Sequence, residues 1–386
     1  MIYLANNAST ALDPEVREAM AVAADWYGNP SSVHSAGRRA RRAVEESREE
    51  VARLIGAGPD EIFFTSGGTE ANALAIFGTL SGEGGGRVVL TAAEHPSVRE
   101  PIASLADRFE IRTVPPEGSG ALDPANVIDS TTPATRFVSV MAANNEYGGL
   151  YPIGEIATRL RERGAPIHTD AVQAAGRVPI DVESWGVDLL ALSAHKLHGP
   201  KGVGALWVRR GLAIRALVPG GGQEKKIRGG TENTIGIVGF GIAARLARER
   251  LPLEPGRIAR LRDRLESGIL ESIPGTRAVG AGAPRLPNTT AILFVGLAGD
   301  ALLFRLDLEG VAVSVGSACS SGTLEPSPAI LALGLPRQEA KGVVRFSLSR
   351  LTTEAEIDRV LEILPRVVAE ARAIRSPAAV GAPAVP

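Results

Sequence analysis

Lys196 stands in an unusual place for an ammonium group, because the strongly apolar run VDLLALSA ends only two residues before it. A lysine in a desolvated pocket has a lowered pKa and can form a Schiff base with a carbonyl compound. Ser193 and His195 adjoin it and would lie within reach of the same ligand. His195 and His198 could instead suggest a metal site, but no cysteine lies nearby and no acidic residue stands at ligand spacing. The stretch therefore favours carbonyl chemistry.

The motif SGGTEAN, residues 66–72, lies between a predicted strand and a predicted helix. Gly68 and Thr69 would present free backbone N–H groups at the positive end of the helix dipole, which suits a phosphate. No Gly-Lys-Ser/Thr follows the glycines, so the motif is not a P-loop. A simple capping turn with Ser66 or Thr69 as the N-cap is the alternative.

Two further polar residues follow predicted strands, Asp170 in HTDAVQ and His95 in LTAAEHPSV. A carboxylate at the first position could keep a pyridinium nitrogen protonated, and Gln173 could donate to a ring oxygen. Asp170 could equally be the N-cap of a following helix. A lone histidine such as His95 is as readily structural as catalytic.

Together these features meet the requirements of one cofactor, pyridoxal 5′-phosphate (PLP). They supply a phosphate cradle, an aspartate for the pyridine nitrogen, a lysine for the aldehyde and an aromatic ring to cover the cofactor. A dinucleotide is disfavoured, because GIVGFGIA has its glycines in the wrong order and no strand before it.

Apolar runs that alternate with amphipathic segments predict an α/β protein with a mainly parallel, doubly wound sheet, whose ligand binds at the carboxyl ends of the strands. The predicted strands are Glu61–Thr65, Arg87–Ala92, Arg136–Ala143, Pro166–Asp170, Val187–Ala194 and Gly202–Arg210. The predicted helices are Gly37–Ile55, Glu70–Leu80, Ile153–Arg163, a long helical stretch near Ile235–Arg264, and Thr353–Ile374.

The chain is expected to form two domains. Residues 15–255 would form a large ligand-binding domain, in which the glycine-rich segment PGGGQEKKIRGGTEN precedes the long helical stretch. Residues 1–14 with 256–375 would form a smaller α+β domain. Residues 376–386 are rich in proline, alanine and glycine, and we expect a disordered tail.

Composition excludes several classes of protein. The 42 basic and 43 acidic side chains leave a net charge of −1, so no overall field attracts nucleic acid or acidic lipid. Within the basic residues 38–42, Arg41 and Arg42 have glutamates four places later, which favours i,i+4 pairs on a solvated helix face. No apolar run approaches the roughly 20 residues of a membrane span, and MIYLANNAST does not have the pattern of a signal peptide. We expect a cytoplasmic protein.

Cys319 is the only cysteine in 386 residues and lies in the polar, glycine-bracketed stretch VGSACSSGTLEPSP. One cysteine cannot form an internal disulfide, which suits a reducing compartment. No apolar periodicity draws it into a core. It is either a stray exposed thiol or a mobile nucleophile.

These motifs occur in the order typical of one family. The chain resembles the cysteine desulfurases of the class V aminotransferase group, in particular the nitrogen-fixation and iron–sulfur-assembly type. The likeness covers nearly the whole chain and includes GNPSSVHSAGR, FTSGGTEAN, EHPSV, NNE-G, HTDAVQAAGRVPIDV, SAHKLHGPKGVGAL, GGGQE-K-R-GTEN, SVGSACSSGTLEPS and VRFSLSR. The resemblance implies the type I fold of PLP-dependent transferases.

The resemblance also implies roles for individual residues. Lys196 would bind PLP covalently, His95 would stack on its ring and move protons, and Cys319 would be the nucleophile. Arg345 would bind the substrate carboxylate through two hydrogen bonds from its planar guanidinium. The other cofactor contacts implied are Asp170 for the pyridine nitrogen, Gln173 for the phenolic oxygen, Asn145 beside them and near the substrate, Gly68, Thr69, Ser193 and His195 for the phosphate, and Thr231 for the phosphate of a neighbouring subunit.

The implied reaction converts L-cysteine to L-alanine and leaves the sulfur on Cys319 as a persulfide. A homodimer with shared active sites would then deliver the sulfur to an acceptor or scaffold protein, for iron–sulfur clusters or thiolation. Three positions depart from the family pattern, Ala5, Ser9 and Tyr147. The alternatives are another class V enzyme, such as a selenocysteine lyase or a transaminase, or a sulfur carrier without cofactor.

Overall fold

The computed structural model describes residues 1–82, 84–316 and 325–374, so Cys319 and the predicted tail lie outside the described residues. The strands are β1 (Ile2–Tyr3), β2 (Ile62–Thr65), β3 (Arg87–Thr91), β4 (Glu110–Val114), β5 (Thr135–Ser139), β6 (Ile167–Asp170), β7 (Leu189–Ser193), β8 (Gly204–Val208), β9 (Thr276–Ala278), β10 (Thr289–Phe294), β11 (Val311–Ala312), β12 (Ser314–Val315) and β13 (Val343–Ser347).

The helices alternate with these strands along the chain. They are α1 (Pro14–Ala24), α2 (Ser35–Leu54), α3 (Gly68–Thr79), α4 (Pro96–Ala103), α5 (Pro124–Asp129), α6 (Ile153–Leu160), α7 (Val182–Trp185), α8 (Thr234–Arg250), α9 (Glu254–Ser272), α10 (Gly299–Leu308), α11 (Pro328–Leu331), α12 (Arg337–Ala340) and α13 (Glu354–Ile374). No helix in the described ranges is long and apolar enough to cross a membrane.

The largest sheet of the described chain has the strand order β2-β8-β7-β6-β5-β3-β4. The pairs between β4, β3, β5, β6 and β7 are parallel, whereas β8 runs antiparallel to both of its neighbours. Helices pack on both faces, over separate hydrophobic clusters. The predicted mainly parallel sheet is therefore confirmed, and its parallel strands point their carboxyl ends at a common edge.

The long helical stretch predicted near Ile235–Arg264 is helical in the structure, apart from a short break. The structure has two helices, α8 and α9, separated by residues 251–253. Pro252 and Pro255 explain the break, because proline lacks the backbone N–H that a continuous helix needs. The exposed edge strand β4 was not predicted from the sequence, because only its last residue is buried and the strand has no apolar run.

A second, antiparallel sheet has the order β12-β13-β10-β9, and β1 pairs in parallel with β11 beside it. Its own hydrophobic cluster joins Leu4 to residues of α9, α10 and α13. Ala5 bridges to Ser347 at the end of β13. The first residues of the chain are thus held against the second sheet, and the residues that follow extend toward the large sheet.

Candidate active site

A cavity of about 170 Å³ lies at the carboxyl ends of β5, β6 and β7. It brings together most of the residues singled out from the sequence, namely Gly68, Thr69, His95, Asn145, Asp170, Gln173, Ser193, His195, Lys196 and Arg345. Thr231 is exposed and is not part of this described cavity wall. Its contact with a neighbouring subunit stays a prediction, as does the role of Cys319.

Asp170 is the last residue of β6 and is buried in the cavity floor. Its Oδ1 accepts from the backbone N of Val172 at 3.0 Å, and its Oδ2 accepts from Nδ2 of Asn72 at 2.8 Å. The residues that follow form successive turns. Asp170 therefore does not cap an α-helix, and its carboxylate faces the ligand cavity with both oxygens held.

Lys196 ends a 3₁₀ turn, Ala194–Lys196, directly after β7. Its Nζ donates to the backbone oxygens of Asn7 at 2.5 Å and Ala8 at 2.7 Å. The ammonium thus enters the cavity from the strand end. His195 and His198 are not part of any group of three metal-ligating side chains among the described residues.

Asn7 is a site residue that the sequence reasoning missed. Its backbone oxygen also accepts from Nε2 of Gln173 at 3.0 Å, and its Nδ2 donates to the backbone oxygen of Asn145 at 3.1 Å. A second donation reaches Thr289 Oγ1 of the second sheet at 2.8 Å. The paired asparagines of YLANNAST were the available signal, but no periodicity predicts where the start of a chain docks.

His95 is the N-cap of α4, and its Nδ1 accepts from the backbone N of Ser97 at 3.1 Å. A backbone N–H can only donate, so in the neutral ring the proton is on Nε2. Burial lowers the pKa of His95, and the charge of Lys196 lowers it further, while Asp170 acts in the opposite direction. His95 is therefore neutral at pH 7 and carries a proton it can donate.

Glu94, another residue without a sequence signal, is buried behind His95. Its Oε1 accepts from Oγ1 of Thr91 at 2.8 Å and from the backbone N of Met141 at 2.7 Å. Burial raises the pKa of Glu94 to about 8, with a smaller contribution from the charge of Asp170. The side chain thus joins the loop of His95 to the end of β5 as a neutral acid.

The opposite end of the cavity suits an anion. Gly68 begins α3, and a Cβ built there would lie 2.9 Å from Cγ2 of Val172, so only glycine lets the turn approach this closely. Ser193 and His195 line the same wall. Burial, followed by the charge of Lys196, lowers the pKa of His195 to about 4. A neutral His195 can donate a hydrogen bond to a phosphate without first taking up a proton.

Arg345 lies on β13 and is only 2% exposed. Its Nη1 donates to the backbone oxygen of Asn145 at 2.8 Å, which joins the second sheet to the cavity. A planar guanidinium at this position can bind a carboxylate in two-point fashion. With Lys196 nearby, the cavity presents two cationic side chains and favours an anionic ligand.

The sequence matches the Aminotransferase class-V family profile over residues 2–360. The chain belongs to the class V aminotransferase family. A class V relative from Trichormus azollae, named "Cysteine desulfurase", is 46% identical over 377 residues, which cover 97% of this chain and 94% of that protein. The family predicted from the motifs is therefore confirmed.

Solved structures resemble more than nine tenths of the chain. A NifS-like protein from Rickettsia africae is 34% identical, covers 95% of this chain and 99% of its own, and superposes with a TM-score of 0.87. A structure titled "SspA in complex with cysteine" is 32% identical, covers 92% and 100%, and has a TM-score of 0.81. The predicted α/β fold of PLP-dependent class V enzymes is confirmed.

Proposed function

We propose that this protein is a cysteine desulfurase that uses PLP to convert L-cysteine to L-alanine and passes the sulfur to Cys319. The observation that carries this proposal is the convergence of Lys196, Asp170 and Arg345 on one cavity, in a chain nearly half identical to a protein named cysteine desulfurase. The solved structure titled "SspA in complex with cysteine" supports the choice of substrate.

The donor set of the cavity fits PLP. Gly68, Thr69, Ser193 and His195 would hold the phosphate, while Asp170 would face the pyridine nitrogen. Lys196 would attach the cofactor, and Gln173 and Asn145 would contact its ring substituents. When bound, PLP withdraws electrons from the substrate and makes the Cβ–S bond breakable.

The substrate would be held by its carboxylate. Arg345 is held in place by its hydrogen bond to the backbone oxygen of Asn145. Its planar guanidinium would bind the substrate carboxylate through two N–H groups. This position leaves the thiol end of L-cysteine free to face a nucleophile.

Protons would be moved by Lys196 and His95. An amine of Lys196 can accept the proton that leaves the substrate Cα. The Nε2–H of neutral His95 can donate a hydrogen bond to a developing anion, and the ring can transfer a proton only after it has taken up a second one. The hydrogen bond from Ser97 would keep the His95 ring in that orientation, and buried Glu94 would anchor the backbone next to it through Thr91 and Met141.

Sulfur transfer requires the Cys319 thiolate. It would attack the substrate sulfur, so that an S–S bond forms and the Cβ–S bond breaks. The electron pair stays with the carbon skeleton, which takes up a proton and leaves as alanine. A thiol is only a few per cent ionised at neutral pH, so a neighbouring group must stabilise the thiolate, and His95 remains our candidate, through a hydrogen bond from its Nε2–H.

The test is incubation with L-cysteine and a reductant, with alanine and sulfide measured together. We expect equal amounts of the two products and a yellow protein. Cys319→Ala should abolish both products but keep the colour, whereas Lys196→Ala should lose covalent attachment of PLP. A transaminase would keep its activity after Cys319→Ala. A colourless wild type that does not take up added PLP would overturn the proposal.

Further proposals concern assembly. Residues 15–255 would form the large domain and residues 1–14 with 256–375 the small one, which has a hydrophobic cluster built from Leu4 and residues 258–371. Thr231 is exposed and would reach the phosphate of a second copy in a homodimer with shared sites. An acceptor or scaffold protein would take the persulfide sulfur in the cytoplasm, where a single thiol stays reduced.

A further inference from the structure

Arg177 contacts two residues of the site from outside its cavity. Its Nη1 donates to the backbone oxygen of Gln173 at 2.8 Å and also to the side-chain Oε1 of the same residue. Its Nη2 lies 3.4 Å from the backbone oxygen of Lys196. Arg177 itself lines a second cavity, of about 60 Å³, on the far side of Lys196.

These contacts fix the orientation of the Gln173 amide. A guanidinium has five N–H donors and no acceptor, so the amide atom that faces Arg177 must be the oxygen. The NH₂ group of Gln173 is therefore turned the other way. It donates to the backbone oxygen of Asn7 at 3.0 Å, and Asn7 lines the site cavity.

The charge of Arg177 has no acidic partner among the residues it contacts in the described chain. Arg250 and Arg350, which line the same second cavity, both pair with Asp13. Burial, followed by the charge of Arg345, lowers the pKa of Arg177 to about 10, so it remains a cation at pH 7. A partly buried cation without a carboxylate is costly, which suggests that its contact with Gln173 serves the site.

We propose that Arg177 is a positioning residue that holds the NH₂ group of Gln173 toward the ligand and strengthens it as a hydrogen-bond donor. A cation on the amide oxygen draws electrons from the amide, which makes its N–H groups better donors. The inference rests on the proposed function, in which Gln173 donates to the phenolic oxygen of PLP. It extends the site by a residue that does not touch the ligand.

The test is a double-mutant cycle on purified protein without substrate. Arg177→Met is made in the wild-type background and in a Gln173→Leu background. The absorption spectrum of bound PLP and the dissociation constant of PLP from titrated apoprotein are measured. Arg250→Met is the matched control, because it makes the same change on the same second cavity without touching Gln173.

In the wild-type background, Arg177→Met should shift the PLP absorption band and weaken PLP binding about tenfold, the effect of one charge-assisted hydrogen bond. In the Gln173→Leu background it should change binding by less than about twofold. Arg177→Lys should fall between, because an ammonium offers one point of contact, and it replaces the methionine variant in the cycle if that variant does not fold.

Equal effects in the two backgrounds, or no spectral change in either, would overturn the role of Arg177. Wild-type protein is measured first. If it does not bind PLP, the proposed function itself fails. If it binds PLP and releases alanine and sulfide while Arg177→Met is indistinguishable from it, only the role of Arg177 fails.

Discussion

Asn72 and Asp170 are joined by a hydrogen bond of 2.8 Å in the floor of the cavity, and both side chains are buried. The same Asn72 amide donates to Oγ of Ser97 at 2.8 Å, and that hydroxyl lies 2.8 Å from Nδ1 of His95. One chain of hydrogen bonds therefore connects the carboxylate at the end of β6 to the histidine at the start of α4. Asn72 orients both through a single side chain.

Asn72→Ala should weaken PLP binding about tenfold, since Asp170 loses one of its two donors and its carboxylate is less well held. The measurement is a PLP titration of the apoprotein. Asn126→Ala is the matched control, because Asn126 is exposed on α5 and far from the cavity. Unchanged PLP affinity in a folded Asn72→Ala variant would show that Asp170 does not depend on this contact.

Glu94→Gln should change how stability depends on pH. In the folded protein Glu94 ionises near pH 8, against 4.5 for an ordinary glutamate. Its stabilising contribution is therefore complete below pH 4.5 and is lost as the pH rises from 4.5 to 8, by on the order of a few kcal/mol. Glutamine does not titrate, so the variant should gain stability relative to the wild type over that range.

Urea unfolding at pH 5, 7 and 9 measures this difference. Exposed Glu18→Gln is the control and should follow the wild type at every pH. A constant difference between Glu94→Gln and the wild type across the series would mean that Glu94 is already ionised in the folded protein.

Arg345→Lys should lower kcat/KM for L-cysteine by about 10- to 100-fold, because a lysine cannot make the two-point contact with a carboxylate. Cysteamine lacks the carboxylate, so any slow turnover of it should be nearly the same in both proteins. Exposed Arg136→Lys serves as the control. An equal loss with both substrates would argue that Arg345 maintains the fold of the site and does not bind the substrate.

Arg48→Met should lower the free energy of unfolding by about 3–5 kcal/mol, because it leaves the buried carboxylate of Glu224 without its cationic partner. Arg48 binds both oxygens of Glu224, at 2.8 and 2.7 Å. Glu224 lies in the glycine-rich segment before α8, where it and the next two residues adopt left-handed backbone angles. The ion pair thus holds a strained segment in place.

Adding Glu224→Gln to Arg48→Met should recover part of the loss, since glutamine removes the uncompensated charge and still accepts from the backbone of Phe64. Arg53→Met, which breaks exposed ion pairs on the same helix, should cost about 0–1 kcal/mol. Chemical unfolding measures these three variants and the Glu224→Gln single variant. A double variant as unstable as the sum of its single changes would contradict the coupling.

Much of the site followed from local sequence because parallel strands end at one edge of a sheet. Asp170 ends one predicted strand and Lys196 closely follows another, and that pattern alone predicted that they meet. The ordered motifs supplied the rest of the prediction, including Arg345 from the far end of the chain. Pro252 and Pro255 were visible in the sequence as well, although the helical pattern on either side concealed the break between α8 and α9.

Only the tertiary structure decided the contacts that cross between the two sheets and the charge of buried groups. Asn7 reaches Lys196 because β1 pairs with β11, a contact between residues some 300 apart that no periodicity encodes. Glu94 is neutral because the fold excludes water from it, and Arg177 faces an amide because the turns after β6 place it there. The sequence by itself determined which chemical groups the site contains, because these follow from residue types at strand ends. Folding determined their protonation and orientation, because both depend on which distant atoms surround each group.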